Sequence, residues 1–294
     1  MNWPLNTNPG AFGGLEKEAD RASSRFAVVP IPFDGTSTWQ KGADKGPEAI
    51  LTASGHMELF DIETRSEPWR SGIVTMAPIP RCVTVEKMVK KVCEVTGSLL
   101  EEDLLPVGLG GEHSVSIGMI QACAERYPGL TVLQLDAHSD TRETYEGSPY
   151  SHACVMARAR EIAEIVQVGL RSLDIGEMDQ LNLERVVFAH EFDSTDTARK
   201  VKRLLKGPVY ITVDLDCLDP SEMPSTGTPE PGGLCYRDLT GLLGKVMMHS
   251  HVVGFDVVEL MPRQQDKAPD FLAARLVYQM MAYLNQAADR GLNK

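Results

Sequence analysis

Three apolar runs that end in acids and histidines limit what this chain can fold into. Residues 104–109 run into Gly110-Gly111-Glu112-His113, and residues 130–135 into Asp136-Ala137-His138-Ser139-Asp140. Residues 209–213 run into Asp214-Leu215-Asp216-Cys217-Leu218-Asp219-Pro220. A buried, uncompensated charge is expensive, so carboxylates at the ends of buried strands are normally paired or bound to metal. In a parallel α/β sheet, ligands bind beyond the carboxyl ends of the strands, where these clusters fall. The pattern reads as a metal centre at one edge of a parallel sheet.

Within a strand, residues i and i+2 share a face, so Asp136 points with His138 and Asp214 with Asp216. Asp140 continues the series of Asp136 and His138, and His113 closes the segment Gly110–His113. One Mn²⁺ takes about five or six ligands in an oxygen-rich shell. Six residues with Asp136 and Asp214 bridging would therefore serve two ions, and four carboxylates offset two divalent charges. Zinc is the rival metal, but no cysteine is placed as a thiolate ligand, and an oxygen-dominated set favours Mn²⁺. Taken singly, each segment has an ordinary reading as a turn or a helix cap. Their joint order, each after a strand, favours metal.

Apolar strand patterns at 26–31, 72–77, 104–109, 131–135, 165–170, 186–189, 209–213 and 252–258 alternate with helical patterns at 85–102, 114–127, 195–205, 236–249 and 269–287. Alternating β and α segments imply a mostly parallel sheet covered on both faces. The expected fold is α/β, a three-layer α/β/α sandwich on an eight-stranded sheet, with a closed β/α barrel as the alternative. No linker, charge block or repeat divides the chain, so one catalytic domain is expected over residues 25–294, after an irregular polar arm over residues 1–24 that crosses the surface or a neighbouring subunit.

Net charge is −12, from 41 acids against 29 bases, which argues against nucleic acid as a partner and suits a cationic substrate. There is no basic-then-apolar leader and no long apolar span, so neither export nor membrane insertion is expected. The six cysteines show no Cys-x-x-Cys spacing and read as reduced thiols of a cytoplasmic protein.

The order Gly110-Gly111-Glu112-His113, Asp136–Asp140, Ser151-His152-Ala153, Asp214–Pro220, then Gly227-Thr228-Pro229-Glu230-Pro231-Gly232-Gly233 resembles the ureohydrolases: arginase, agmatinase and relatives. Pro32-Phe33-Asp34-Gly35-Thr36 near the start and Gly254-Phe255-Asp256-Val257-Val258-Glu259 near the end extend the resemblance over nearly the whole chain. It implies the same three-layer architecture, two Mn²⁺ per subunit, hydrolysis of a guanidino compound to urea and an amine, and a homotrimer or homohexamer. It also implies roles. Asp140 orients the attacking hydroxide besides ligating metal, and Glu259 pairs with the guanidinium fork-to-fork. His152 gives the leaving amine its proton. Ala153 stands where many members have glycine.

For the substrate, the stretch after Asp140 lacks the arginase pattern and adds Glu143 and Glu146. The resemblance places Asp174 and Glu177 at the substrate's amino end. Acids at the mouth suit agmatine, with N1-aminopropylagmatine as the alternative; Arg142 is the one feature that favours an anionic guanidino acid. Other classes are a zinc deacetylase, needing only an Asp-His-Asp set, and a metal-binding protein without turnover.

Overall fold

The computed structural model describes residues 3–6, 10–15, 19–289 and 291. Its strands are β1 (Phe26–Ile31), β2 (Ile73–Thr75), β3 (Leu105–Gly110), β4 (Thr131–Leu135), β5 (Glu164–Leu170), β6 (Val186–Phe188), β7 (Pro208–Asp214) and β8 (His251–Val258). They join in one sheet, ordered β2-β1-β3-β8-β7-β4-β5-β6, with every neighbouring pair parallel. The helices are α1 (Gly46–Ser54), α2 (Val85–Glu101), α3 (Val115–Arg126), α4 (Val155–Ala159), α5 (Ile175–Met178), α6 (Asp196–Leu204), α7 (Tyr236–Met247) and α8 (Ala268–Asp289).

Side chains alternate along the strands into two apolar layers. Val28, Val107, Leu133 and Ile211 pack with Ile50 of α1, Val201 of α6, Leu242 of α7 and Leu276 of α8. Val29, Val132 and Tyr210 pack on the other side with Val92 of α2, Ile120 of α3 and Met156 of α4. Burial on both faces is what makes these strands read as continuous apolar runs. The sheet is open, with β2 and β6 as edges of three residues each, so the sandwich holds and the barrel does not. Short edges leave little unpaired backbone for a foreign strand.

Every expected strand forms, while α1, α4 and α5 were not expected. Helix α1 carries Pro47 in its first turn but runs only nine residues. Helices α4 and α5, at five and four residues, are too short to show a 3.6-residue period. Of the expected arm, residues 1–2, 7–9 and 16–18 lie outside the described residues. Its described parts lie against their own chain. Leu5 forms an antiparallel bridge with Met76. Trp3 Nε1 donates to Ala77 O at 2.8 Å, and Phe12 is fully buried near Tyr278.

One row of the sheet is polar. The register aligns Gly108, Asp256, Thr212, Gln134 and Gln167 across β3, β8, β7, β4 and β5. All are buried. Thr212 Oγ1 donates to Asp256 Oδ1 at 2.6 Å, and Tyr210 OH to Asp256 Oδ2 at 2.5 Å. Gln167 Nε2 donates to Gln134 Oε1 at 2.6 Å. Gly108 makes room, because a Cβ there would come within 2.8 Å of Asp256 Cβ and 2.5 Å of Met119 Sδ. A satisfied polar network inside a sheet rigidifies what rests on it, and this row lies just beneath the carboxyl ends of the central strands.

Candidate metal centre

The acid and histidine clusters meet where β3, β4, β7 and β8 end. Ligand-capable atoms gather in two sets, His113 with Asp136 and Asp140, and Asp136 with His138 and Asp216, each set within 4.8 Å. Asp136 belongs to both. Asp214 Oδ2 joins the first set, 3.4 Å from His113 Nδ1. The carboxylates are held by nearby donors: His138 N and Gln134 Nε2 reach Asp136 (2.6 and 2.7 Å), Asp216 N reaches Asp214 (2.8 Å), and Ala137 N reaches Asp216 (3.1 Å). All six expected ligands therefore converge.

The chemistry of His113 shows what this cluster suits. Its Nδ1 faces Asp136 Oδ2 at 3.1 Å, Asp140 Oδ2 at 3.0 Å and Asp214 Oδ2 at 3.4 Å. None of the three is a hydrogen bond, and this buried nitrogen has no hydrogen-bond partner. Its Nε2 lies 2.9 Å from Thr212 Oγ1. Because Thr212 gives its only hydrogen to Asp256, it accepts from His113, which puts the ring proton on Nε2. A neutral ring then turns a lone pair on three carboxylates, and against the effect of burial those carboxylates draw the His113 pKa well above its usual value. A cation between them resolves that conflict, and a histidine whose far nitrogen is hydrogen-bonded is the usual form of a metal ligand.

His138 mirrors the arrangement less tightly. Its Nδ1 is 2.9 Å from Asp216 Oδ2, and its Nε2 is 3.9 Å from Glu230 Oε1. Among themselves the charges are frustrated. Burial, then Asp216 and Asp136, pushes Asp214 well above the usual carboxylate range. Burial, then Asp136, raises Asp140 to about 7. Burial presses on the His138 ring, but Asp216 and Asp136 outweigh it and carry it to about 12. Two divalent cations would balance the four carboxylates. Cys217 is packed in the apolar layer instead.

A cavity of ≈ 360 Å³ opens over this cluster, lined also by Thr38, Arg142, Tyr145, His152, Asp174, Glu177 and Glu259. Asp140 and Glu259 hold left-handed backbone angles, φ +52° and +67°, a conformation that non-glycine residues keep only where surroundings enforce it. Glu259 Oε1 accepts from His113 N at 2.8 Å, which leaves Oε2 for a ligand. Burial, then Glu112, pushes the Glu259 carboxyl well above its usual range. His152 Nδ1 lies 3.1 Å from Thr36 Oγ1, and burial lowers the ring's pKa to about 4.

At the far end of the cavity the acids differ. Asp174 and Glu177 form a capping box on α5. Glu177 is buried and already holds Ser139 Oγ (2.5 Å) and Arg142 Nε (3.2 Å), whereas Asp174 is exposed. Arg142 also stacks on Tyr145, 4.7 Å from the ring centroid. Glu143 and Glu146, expected at the mouth, do not line the cavity. Glu143 turns to Arg158 and Arg160, and Glu146 sits in the tight turn bridged by Tyr145 and Ser148.

Sequence reasoning gave no role to Thr212, Asp256, Glu230 or Arg171. Arg171 gathers the carbonyls of Asp216 and Glu230, each at 2.7 Å from Nη2, and so ties the 214–220 segment to the 227–233 loop. The available signals were Thr212 and Asp256 as polar residues inside apolar runs.

The sequence matches the family described as the arginase family over residues 24–283. The chain belongs to the arginase family. It is therefore a ureohydrolase, an enzyme acting on C–N bonds of linear amidines. The N(1)-aminopropylagmatine ureohydrolase of Thermus thermophilus is 38% identical over 278 residues, 90% of this chain and 91% of that protein. The agmatinase of Bacillus cereus is 31% identical over 267 residues, 88% and 91% of the two chains. The crystal structure of the agmatine ureohydrolase of Thermoplasma volcanium superposes with a TM-score of 0.85 at 29% identity, covering 93% of this chain and 94% of that one.

Proposed function

We propose that this member of the arginase family is a binuclear manganese enzyme that hydrolyses agmatine to putrescine and urea. His113, Asp136, Asp140, His138, Asp214 and Asp216 would hold two Mn²⁺ ions, and Asp136, shared by both sets, would bridge them. The observation that carries this reading is the buried Nδ1 of His113, without a hydrogen bond yet within 3.4 Å of three carboxylates, under a cavity whose wall offers a free oxygen of Glu259. When bound, such ions supply an activated water at neutral pH and positive charge for the transition state.

The chain's own residues do the rest. Glu259 Oε2 receives the guanidinium through paired N–H donors. Asp140 accepts a hydrogen bond from the attacking water and holds it in line. His152, whose burial favours the neutral ring, takes up a proton and returns it to the leaving amine. Asp174 attracts the far ammonium, and the Arg142–Glu177 pair contributes little net charge there. We further take the enzyme to be a cytoplasmic homotrimer or homohexamer; no helix among the described residues is long and apolar enough to cross a membrane.

A second reading, hydrolysis of N1-aminopropylagmatine, is favoured by the 38% identical relative of that name. The test is urea release by Mn²⁺-loaded protein from agmatine, N1-aminopropylagmatine, arginine and 4-guanidinobutyrate. Asp174, the acid facing the far ammonium, is exposed, and exposed charge interactions are worth about 0–1 kcal/mol, so the amine-ended substrates should lead arginine by up to about fivefold from this contact. Arginine turned over as well as agmatine would overturn the assignment. A preference for 4-guanidinobutyrate would give the distal site to Arg142.

A further inference from the structure

Two pieces of chain that carry the family resemblance have no part in this chemistry: the loop Pro32-Phe33-Asp34-Gly35-Thr36 after β1, and the buried Glu112 beside His113. They touch. Gly111 N donates to Ile31 O and Glu112 N to Phe33 O, both at 2.9 Å. The approach is so close that a Cβ on Gly111 would fall 1.8 Å from Phe33 O. Asp34 Oδ2 closes the loop by accepting from Gly42 N at 2.6 Å and Ala43 N at 3.2 Å. Together these contacts deliver Thr36 Oγ1 to a point 3.0 Å from Glu112 Oε2, 3.1 Å from His152 Nδ1 and 2.9 Å from His152 N.

The hydrogens at that point can be counted. A threonine hydroxyl has one hydrogen and two lone pairs. Glu112 already accepts from Ser114 Oγ at 2.7 Å and Ser114 N at 3.1 Å, so it acts as an acceptor and takes the Thr36 hydrogen. The backbone N–H of His152 fills one lone pair of Thr36. The other is left for a hydrogen on His152 Nδ1. Ser151 Oγ, 3.3 Å from the same nitrogen, lies on that side too. Tyr145 meets the ring edge-on, with centroids 5.7 Å apart.

We infer that Thr36 is a positioning residue for His152: its hydroxyl, anchored on Glu112, holds the hydrogen of the imidazole on Nδ1 and leaves Nε2 as the proton-accepting atom for the cavity. The inference rests on the reading of His152 as the proton carrier. It explains why a loop from β1, on the far side of β3, reaches into a site built by β3, β4, β7 and β8. It also gives the glutamate of Gly110-Gly111-Glu112-His113 a task as the anchor of that hydroxyl.

The test is steady-state kinetics on agmatine with the Mn²⁺-loaded full chain, comparing Thr36→Val, Thr36→Ser, His152→Asn and both Thr36 variants in the His152→Asn background. Bound metal and melting temperature are measured for each. Thr36→Val should lower kcat by about 10-fold or more, within the range of general acid–base help, while KM and metal content hold. Thr36→Ser should restore kcat to within about threefold, and Thr36→Val should cost nothing further once His152 is gone, because residues acting as one unit are not additive. Equal losses for valine and serine, or a valine loss that persists in the His152→Asn background, would overturn the role of Thr36 alone. Full activity of His152→Asn would instead overturn the reading of His152 on which it rests.

Discussion

His113 Nε2 lies 2.9 Å from Thr212 Oγ1, and Thr212 in turn donates to Asp256 at 2.6 Å. This two-step contact, carried across β7 and β8 by the register Thr212↔Asp256, decides which nitrogen of His113 faces the carboxylates. The polar row in the sheet is thus the support of the candidate centre, and its cost in buried polarity is offset by a ring held in one tautomer.

Thr212→Val keeps the shape of the side chain and removes the acceptor, so His113 can turn or change tautomer. Mn²⁺ affinity should fall about 10- to 100-fold, the usual effect of losing an outer partner of a metal-binding histidine. Titration of metal-free protein with Mn²⁺ measures it. Unchanged affinity would mean that Thr212 only packs.

Glu259→Gln keeps an oxygen for His113 N but loses the charge facing the guanidinium. Metal content should be retained while kcat/KM collapses by about 10²-fold or more, as expected when a charged hydrogen-bond pair is broken in a cavity. Loss of metal in this variant, read by metal analysis of the purified protein, would show that Glu259 supports the metal cluster instead.

At the distal end, Asp174→Asn and Arg142→Gln should act in opposite directions. The first removes an exposed acid and should raise KM for agmatine several-fold. The second uncovers Glu177 and should lower activity on 4-guanidinobutyrate relative to agmatine. Each effect should be modest, since exposed charge interactions are typically worth about 0–1 kcal/mol. Parallel shifts in both variants would remove Asp174 from the substrate's path.

Much of this site was legible in the chain because its parts are local. Asp136 and His138, or Asp214 and Asp216, lie two residues apart after an apolar run, and the end of a parallel strand is where ligands bind. Parallel strands buried on both faces read as apolar blocks, so all eight could be found. Contacts between distant segments were not legible. Thr36 reaches His152 across 116 residues, and Glu259 reaches His113 across 146. Such pairs depend on strand order, which no local period encodes. Glu143 was misplaced because Arg158 and Arg160, which draw it away from the cavity, belong to α4 and its end, a helix too short to be read from the sequence. The short helices α4 and α5 carry less than two turns and so leave no periodic trace.

The central claim is a two-ion centre joined by Asp136, and the most direct measurement is the metal content of the protein after equilibration with excess Mn²⁺ and removal of free ion. Two ions per chain are predicted, one or none in Asp136→Asn, with urea release lost alongside. At most one ion per chain in the unmutated protein, or two retained in Asp136→Asn, would contradict the account.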